Sequence, residues 1–90
     1  METIKRNPRT AWREHSGIVL VITPDDSKIH KLNETGTFVW KMAGENGLSR
    51  EKVLDAMVDE FETRRSDAEK DLEKFLKKVV EKGIMTKELP

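Results

Sequence analysis

Apolar and polar positions change their period about a third of the way along the chain. Between positions 10 and 32 the apolar residues come in short clusters, and from Asn33 onward they recur every three or four residues. The first pattern belongs to strands and the second to amphipathic helices. Residues 10–14 read as a short strand carrying Trp12, and His15-Ser16-Gly17 supplies a turn with a glycine that accepts positive φ. Ile18-Val19-Leu20-Val21-Ile22 is a continuous apolar run, mostly β-branched, and is expected to be a central strand covered on both faces. Pro24-Asp25-Asp26-Ser27 turns the chain into residues 28–32. That segment is short and holds two lysines, the profile of an edge strand guarded against unwanted pairing.

Helical signals follow in order. Asn33 is a good N-cap, Glu34 complements the positive end of the helix dipole, and Phe38, Val39, Trp40, Met42 and Ala43 give the first helix a broad apolar face. Gly44 closes it, and residues 44–47 form a connector. Ser49 caps the second helix, Leu48 and Val53 are placed as a hydrophobic staple, and Val53, Leu54, Met57, Val58 and Phe61 form its apolar stripe. Ser66-Asp67-Ala68-Glu69 has the form of a capping box for the third helix, where Ala68, Leu72, Phe75, Leu76, Val79 and Val80 keep helical spacing. Gly83 ends that helix, and Ile84-Met85 packs back or adds a short extended piece. Three short antiparallel strands followed by three helices, with no linker or repeat between them, predict a single α+β domain over residues 1–90.

Composition adjusts this picture at the N-terminus and narrows the chemistry. Ninety residues suit one domain, and with 36% hydrophobic and 38% charged residues there is no run of about 20 apolar residues that would span a membrane. The first 13 residues hold Lys5, Arg6, Arg9 and Arg13 against Glu2 alone, and residues 1–8 are expected to be a mobile tail. They lack the apolar core of a secretory signal, and a chain without cysteine has no disulfide framework, so a cytoplasmic, monomeric protein is expected. His15 and His30 are the only histidines, too few for a closed zinc site without cysteine, and neither a metal nor another cofactor is expected. Asn33-Glu34-Thr35 fits a glycosylation acceptor, but capping accounts for the same residues. Gly44 and Gly47 lack the lysine of a phosphate-binding loop.

Charge offers one further candidate. Lys70, Lys74, Lys77 and Lys78 lie along the third helix after Arg64 and Arg65, as a DNA-reading helix would carry them. Asp67, Glu69, Asp71, Glu73 and Glu81 are interleaved, a Glu73–Lys77 pair has i,i+4 spacing, and 17 basic residues balance 17 acidic ones. The plain reading is a solvated helix face, with no partner in nucleic acid or membrane. Carboxylates elsewhere also sit on polar helix faces, so no acid/base pair for catalysis emerges.

Trp12-Arg13-Glu14 with Gly17, Val19-Leu20-Val21, Leu32-Asn33-Glu34-Thr35-Gly36 with Trp40, Asp71 with Phe75-Leu76, and Gly83-Ile84 occur together in this order. This ordered set, from Arg9 to Met85, resembles the PqqD family. The resemblance implies a winged-helix-like domain without catalytic activity. It implies a peptide chaperone that binds the leader of a ribosomally made precursor peptide by strand addition and presents it to a modifying enzyme, often a radical S-adenosylmethionine enzyme. By the same resemblance the peptide lies along the third predicted strand, at Lys28, Ile29, His30, Lys31 and Leu32, facing Leu72, Phe75, Leu76 and Val79 of the third helix. Members serving pyrroloquinoline quinone biosynthesis carry a Tyr-Pro-Glu-Gly type turn where this chain has Ile22-Thr23-Pro24-Asp25-Asp26, and Cys-Asp-Gly where it has Met42-Ala43-Gly44. The general role is therefore better marked than the pathway. A winged-helix DNA-binding protein is the alternative the same elements allow.

Overall fold

Ser16 and Gly17 both take positive φ, 51° and 79°, as a two-residue type I′ hairpin turn requires. They join β2 (Ala11–His15) to β3 (Ile18–Ile22) in antiparallel register from Ala11↔Ile22 to His15↔Ile18. A second reversal brings back β4 (Ile29–Lys31), paired with β3 through Leu20↔Lys31, Val21↔His30 and Ile22↔Ile29. This sheet, in order β2-β3-β4, contains the three strands expected from the sequence. The computed structural model describes residues 2–44 and 46–88, so Met1 of the expected tail and Glu45 of the expected connector lie outside the described residues.

A second sheet was anticipated only at the short extended piece after Gly83. β1 (Thr3–Arg6) lies at its centre, flanked by β5 (Leu48–Ser49) and β6 (Met85–Glu88), both antiparallel to it. The described part of residues 1–8 is therefore no mobile tail: Ile4 is fully buried, and Asn7 receives Gly83 and Ile84 as acceptors through its side chain (2.8 Å) and backbone N–H (3.1 Å). Arg6 explains part of the basic start. Its guanidinium stands 4.6 Å from the centre of the Trp12 ring and 4.9 Å from that of Trp40, and Nε donates to the Trp40 carbonyl at 2.9 Å. Two aromatic faces and a carbonyl near a helix C-terminus are all favourable to a cation.

The helices are α1 (Glu34–Ala43), α2 (Arg50–Phe61) and α3 (Arg65–Glu81). Asn33 caps α1 by accepting from the Gly36 N–H at 2.8 Å, and Ser49 caps α2 by accepting from Lys52 at 3.3 Å. The capping box expected at Ser66 is not used. Helix α3 begins two residues earlier, with Arg64 at the N-cap and no side-chain cap bond. Arg65 instead reaches Asp55 at 2.5 Å as well as Glu51 and, at 3.8 Å, Glu69, tying the start of α3 to α2. Glu73 likewise meets Arg50 at 2.5 Å, where i,i+4 spacing had pointed to Lys77.

One core joins both sheets to all three helices: Ile4, Val19, Val21 and Leu32 from the strands and their ends, Val39 and Trp40 from α1, Leu54 and Met57 from α2, Leu72, Leu76 and Val79 from α3, and Ile84 and Met85 behind it. Strand β3 is central in its sheet but is covered on one face only. Val19 and Val21 are fully buried, whereas Ile18 and Leu20 are half-buried and Ile22 is 41% exposed. Helix α1 packs against the Val19 side, where the Val19 N–H donates to Thr37 Oγ1 at 3.0 Å, and the expected second cover is absent among the described residues.

Ile4 is the only fully buried residue of β1, and Ile4→Ala is expected to cost about 2–5 kcal/mol in urea denaturation, the range for a buried isoleucine truncated to alanine. A loss under about 0.5 kcal/mol would mean that β1 does not belong to the cooperative fold.

Candidate functional site

In an antiparallel ladder the residues that exchange hydrogen bonds with a neighbouring strand alternate with residues whose N–H and C=O point the other way. Leu32 donates its N–H to Val19 at 2.9 Å, and Thr23 donates to the Lys28 carbonyl at 3.2 Å. Both pairs belong to the register that opposes Val21 to His30. The backbone of Lys28, His30 and Leu32 therefore faces β3, and that of Ile29 and Lys31 faces outward, with β4 last in its sheet. Side chains alternate at right angles to this. His30 lies on the core face with Val21, and Ile29 projects to the outer face beside Ile22, 68% exposed.

The turn before β4 fixes its position. The Thr23 hydroxyl, on a residue only 3% exposed, donates to Asp26, so His30 Nε2 at 3.1 Å must be the donor to Thr23 Oγ1. Lys28 N–H also donates to Asp26, at 3.1 Å. The Thr23 hydroxyl first and the Lys28 N–H second hold the Asp26 carboxyl below the ordinary carboxylate range.

Opposite the outward edge stands α3. Between them is a groove of about 380 Å³ in which the half-buried Phe75 ring supplies the apolar surface, the buried Leu32, Val79 and Ile84 lie beneath it, and Lys78 and Lys82 form a basic rim. A smaller recess of about 250 Å³ continues it, sharing Asn33, Phe75 and Lys78 and adding Thr35, Asp71 and Lys74. Phe75 is placed by what is missing at Gly36: a Cβ there would sit 2.7 Å from the Phe75 ring, so glycine lets the ring lie on the first turn of α1.

Of the residues anticipated for this site, the fold brings Ile29, His30, Lys31, Leu32, Phe75 and Val79 together along the groove. Lys28 is exposed at the end of the turn and does not line it. Leu72 and Leu76 are fully buried in the core and support the groove from behind. The helical wheel explains the split, because Phe75, Val79 and Lys82 form one row and Leu72 and Leu76 the next, turned inward. Asn33, Lys74, Lys78, Lys82 and Ile84 were not anticipated as lining. The signal for the lysines was present, since each follows the last by four residues beside Phe75 and Val79, but Lys74 and Lys78 were grouped with a solvated face. The lining offers backbone hydrogen bonds, apolar contact and positive charge.

The family model described as Coenzyme PQQ synthesis protein D (PqqD) matches residues 19–85, which include both walls of the groove. The chain belongs to the PqqD family. Among solved structures, the PqqD-family chain is similar to TbiB1, determined in complex with the TbiA(beta) leader peptide, at 22% identity over 90% of this chain and 93% of that chain, with a TM-score of 0.82. At that identity the likeness is one of fold, and it holds for the α+β arrangement as a whole. No curated protein matches the chain.

Leu72→Ala is expected to cost about 2–5 kcal/mol of stability, and Phe75→Ala distinctly less, because part of the Phe75 ring already faces the groove. Equal losses in denaturant titrations would place Phe75 in the core rather than on the groove floor.

Proposed function

We propose that this PqqD-family protein is a non-catalytic, cytoplasmic peptide chaperone. The leader of a ribosomally made precursor adds to β4 as a fourth strand, its side chains enter the groove before Phe75 and Val79, and the bound peptide is presented to a modifying enzyme. A radical S-adenosylmethionine enzyme is the partner that best fits the family, in pyrroloquinoline quinone biosynthesis or a related modified-peptide pathway. The observation that carries this reading is the open parity of β4: Ile29 and Lys31 each offer one donor and one acceptor beside a helix wall made by Phe75 and flanking lysines. That combination is what strand addition uses, with backbone pairing for affinity and a groove for selection.

Magnitudes say which part decides. Four backbone hydrogen bonds at about 0.5–1.5 kcal/mol net each reach at most about 6 kcal/mol, below the roughly 8 kcal/mol of a micromolar complex. A large apolar side chain buried in the groove adds about 1.5–3 kcal/mol. Pairing alone is therefore too weak, and the leader must bring apolar anchors. The nucleic-acid alternative gains nothing from the fold: Glu69, Glu73 and Glu81 share the other side of α3 with Lys70 and Lys77, Lys74 borders both sides, and Glu73 is paired with Arg50.

The test uses chemical synthesis of this small domain with single backbone N-methyl groups and, as ligand, a leader peptide that the unmodified domain binds. Methylation at Ile29 or Lys31 is expected to leave the fold intact and weaken binding at least tenfold. At His30 it should remove a ladder bond to Val21 and destabilise the hairpin by about 1–3 kcal/mol. Normal binding by the Ile29 and Lys31 variants would mean that the peptide does not pair with β4.

A further inference from the structure

Lys74 and Lys78 of α3 and Lys82 at its C-cap stand at intervals of four, and all three line the groove or its continuation. They set three lysines against one lining carboxylate, Asp71, in a chain whose overall charge is zero. Among the described residues, salt bridges engage Lys5, Arg9, Lys41, Arg50 and Arg65, and none engages Lys74, Lys78 or Lys82. The acids that balance the total lie elsewhere, as in Glu51 and Asp55 of α2, which are held by Arg65. The groove is thus a local concentration of unpaired positive charge.

Its spacing fits an extended chain. Four helical residues advance about 6 Å and two strand residues about 6.6 Å, so a lysine every fourth residue keeps step with alternate residues of a strand. The groove runs along the helix, because its two parts are lined by positions 78, 79 and 82 and by positions 71, 74, 75 and 78. Over three lysines the mismatch is about 1 Å, which a flexible four-carbon side chain absorbs. A strand added to β4 turns every second side chain toward the core face, where His30 lies, and so toward this row.

We infer that the groove selects an acidic leader segment: aspartate or glutamate at alternate positions, flanking an apolar anchor of the same parity that rests on Phe75 and Val79. Asp71, in the recess that also holds Lys74 and Lys78, offsets part of the positive charge at that end. This inference rests on the strand-addition reading and adds the chemistry of the peptide to it. The lysine stems line the apolar floor while their ammonium groups stay hydrated, so carboxylates meet them without full desolvation.

A displayed library of random 12-residue peptides, selected on the folded domain, tests both levels. Enriched peptides, synthesised and titrated by amide NMR, are expected to shift Ile29 and Lys31 and to carry acidic residues two apart around a bulky apolar one. K74Q/K78Q/K82Q should weaken them about tenfold and flatten the salt dependence of binding, whereas K70Q/K77Q, on the other side of α3, should leave affinity unchanged. Peptides that shift Ile29 and Lys31 but show no acidic preference, or bind the triple variant equally well, overturn the inference and leave strand addition standing. A selection yielding no peptide that shifts those two amides overturns strand addition, and the inference with it.

Discussion

A strand with a neighbour on one side only must leave every second peptide unit facing away from its sheet. In most proteins that row is shortened, charged or covered, because it pairs with any passing strand. Here β4 is three residues long, with Lys28 just before it and Lys31 at its end, which limits indiscriminate pairing, yet the outward units of Ile29 and Lys31 open onto a helix wall made by Phe75 and flanking lysines. The rest of the molecule can be understood as what keeps those two peptide units in place and gives them a wall to work against.

Several contacts do so at once. The Thr23–Asp26–His30 network closes the hairpin behind β4, and the Leu32 N–H closes its other end on Val19. Gly36 allows Phe75 to approach α1, and the fully buried Leu72 and Leu76 root α3 in the core. The N-terminal sheet does the same from farther away: Arg6 joins β1 to Trp12 of β2 and to the end of α1, and Asn7 holds the loop that follows α3. For a domain of 90 residues the stability margin is only a few kcal/mol, so a fully buried residue such as Ile4 carries a large share of it.

Much of this was legible in the sequence because it is local. The caps at Asn33 and Ser49, the hairpin at Ser16-Gly17 and the helical period of α3 are all set by residues within a few positions of one another. The β1 sheet was not legible, since TIKR contains one apolar residue and pairs with segments 44–46 and 79–85 positions away. The start of α3 moved because Arg65 found tertiary partners on α2, and local capping rules do not see those. At the groove, the apolar period located α3 but could not rotate it: whether Leu72 or Phe75 faced β4 depended on packing, as did the position of the lysine row. The parity of β4, ambiguous in sequence, follows from two hydrogen bonds.

Amide hydrogen exchange measured residue by residue, with and without a leader peptide that the domain binds, tests the open edge most directly. In the free protein the Ile29 and Lys31 amides should exchange much faster than those of His30 and Leu32, which are bonded to β3. Bound leader should protect Ile29 and Lys31 selectively and change the other two little. Saturation with leader that leaves the Ile29 and Lys31 amides exchanging at their free rate would contradict strand addition at β4.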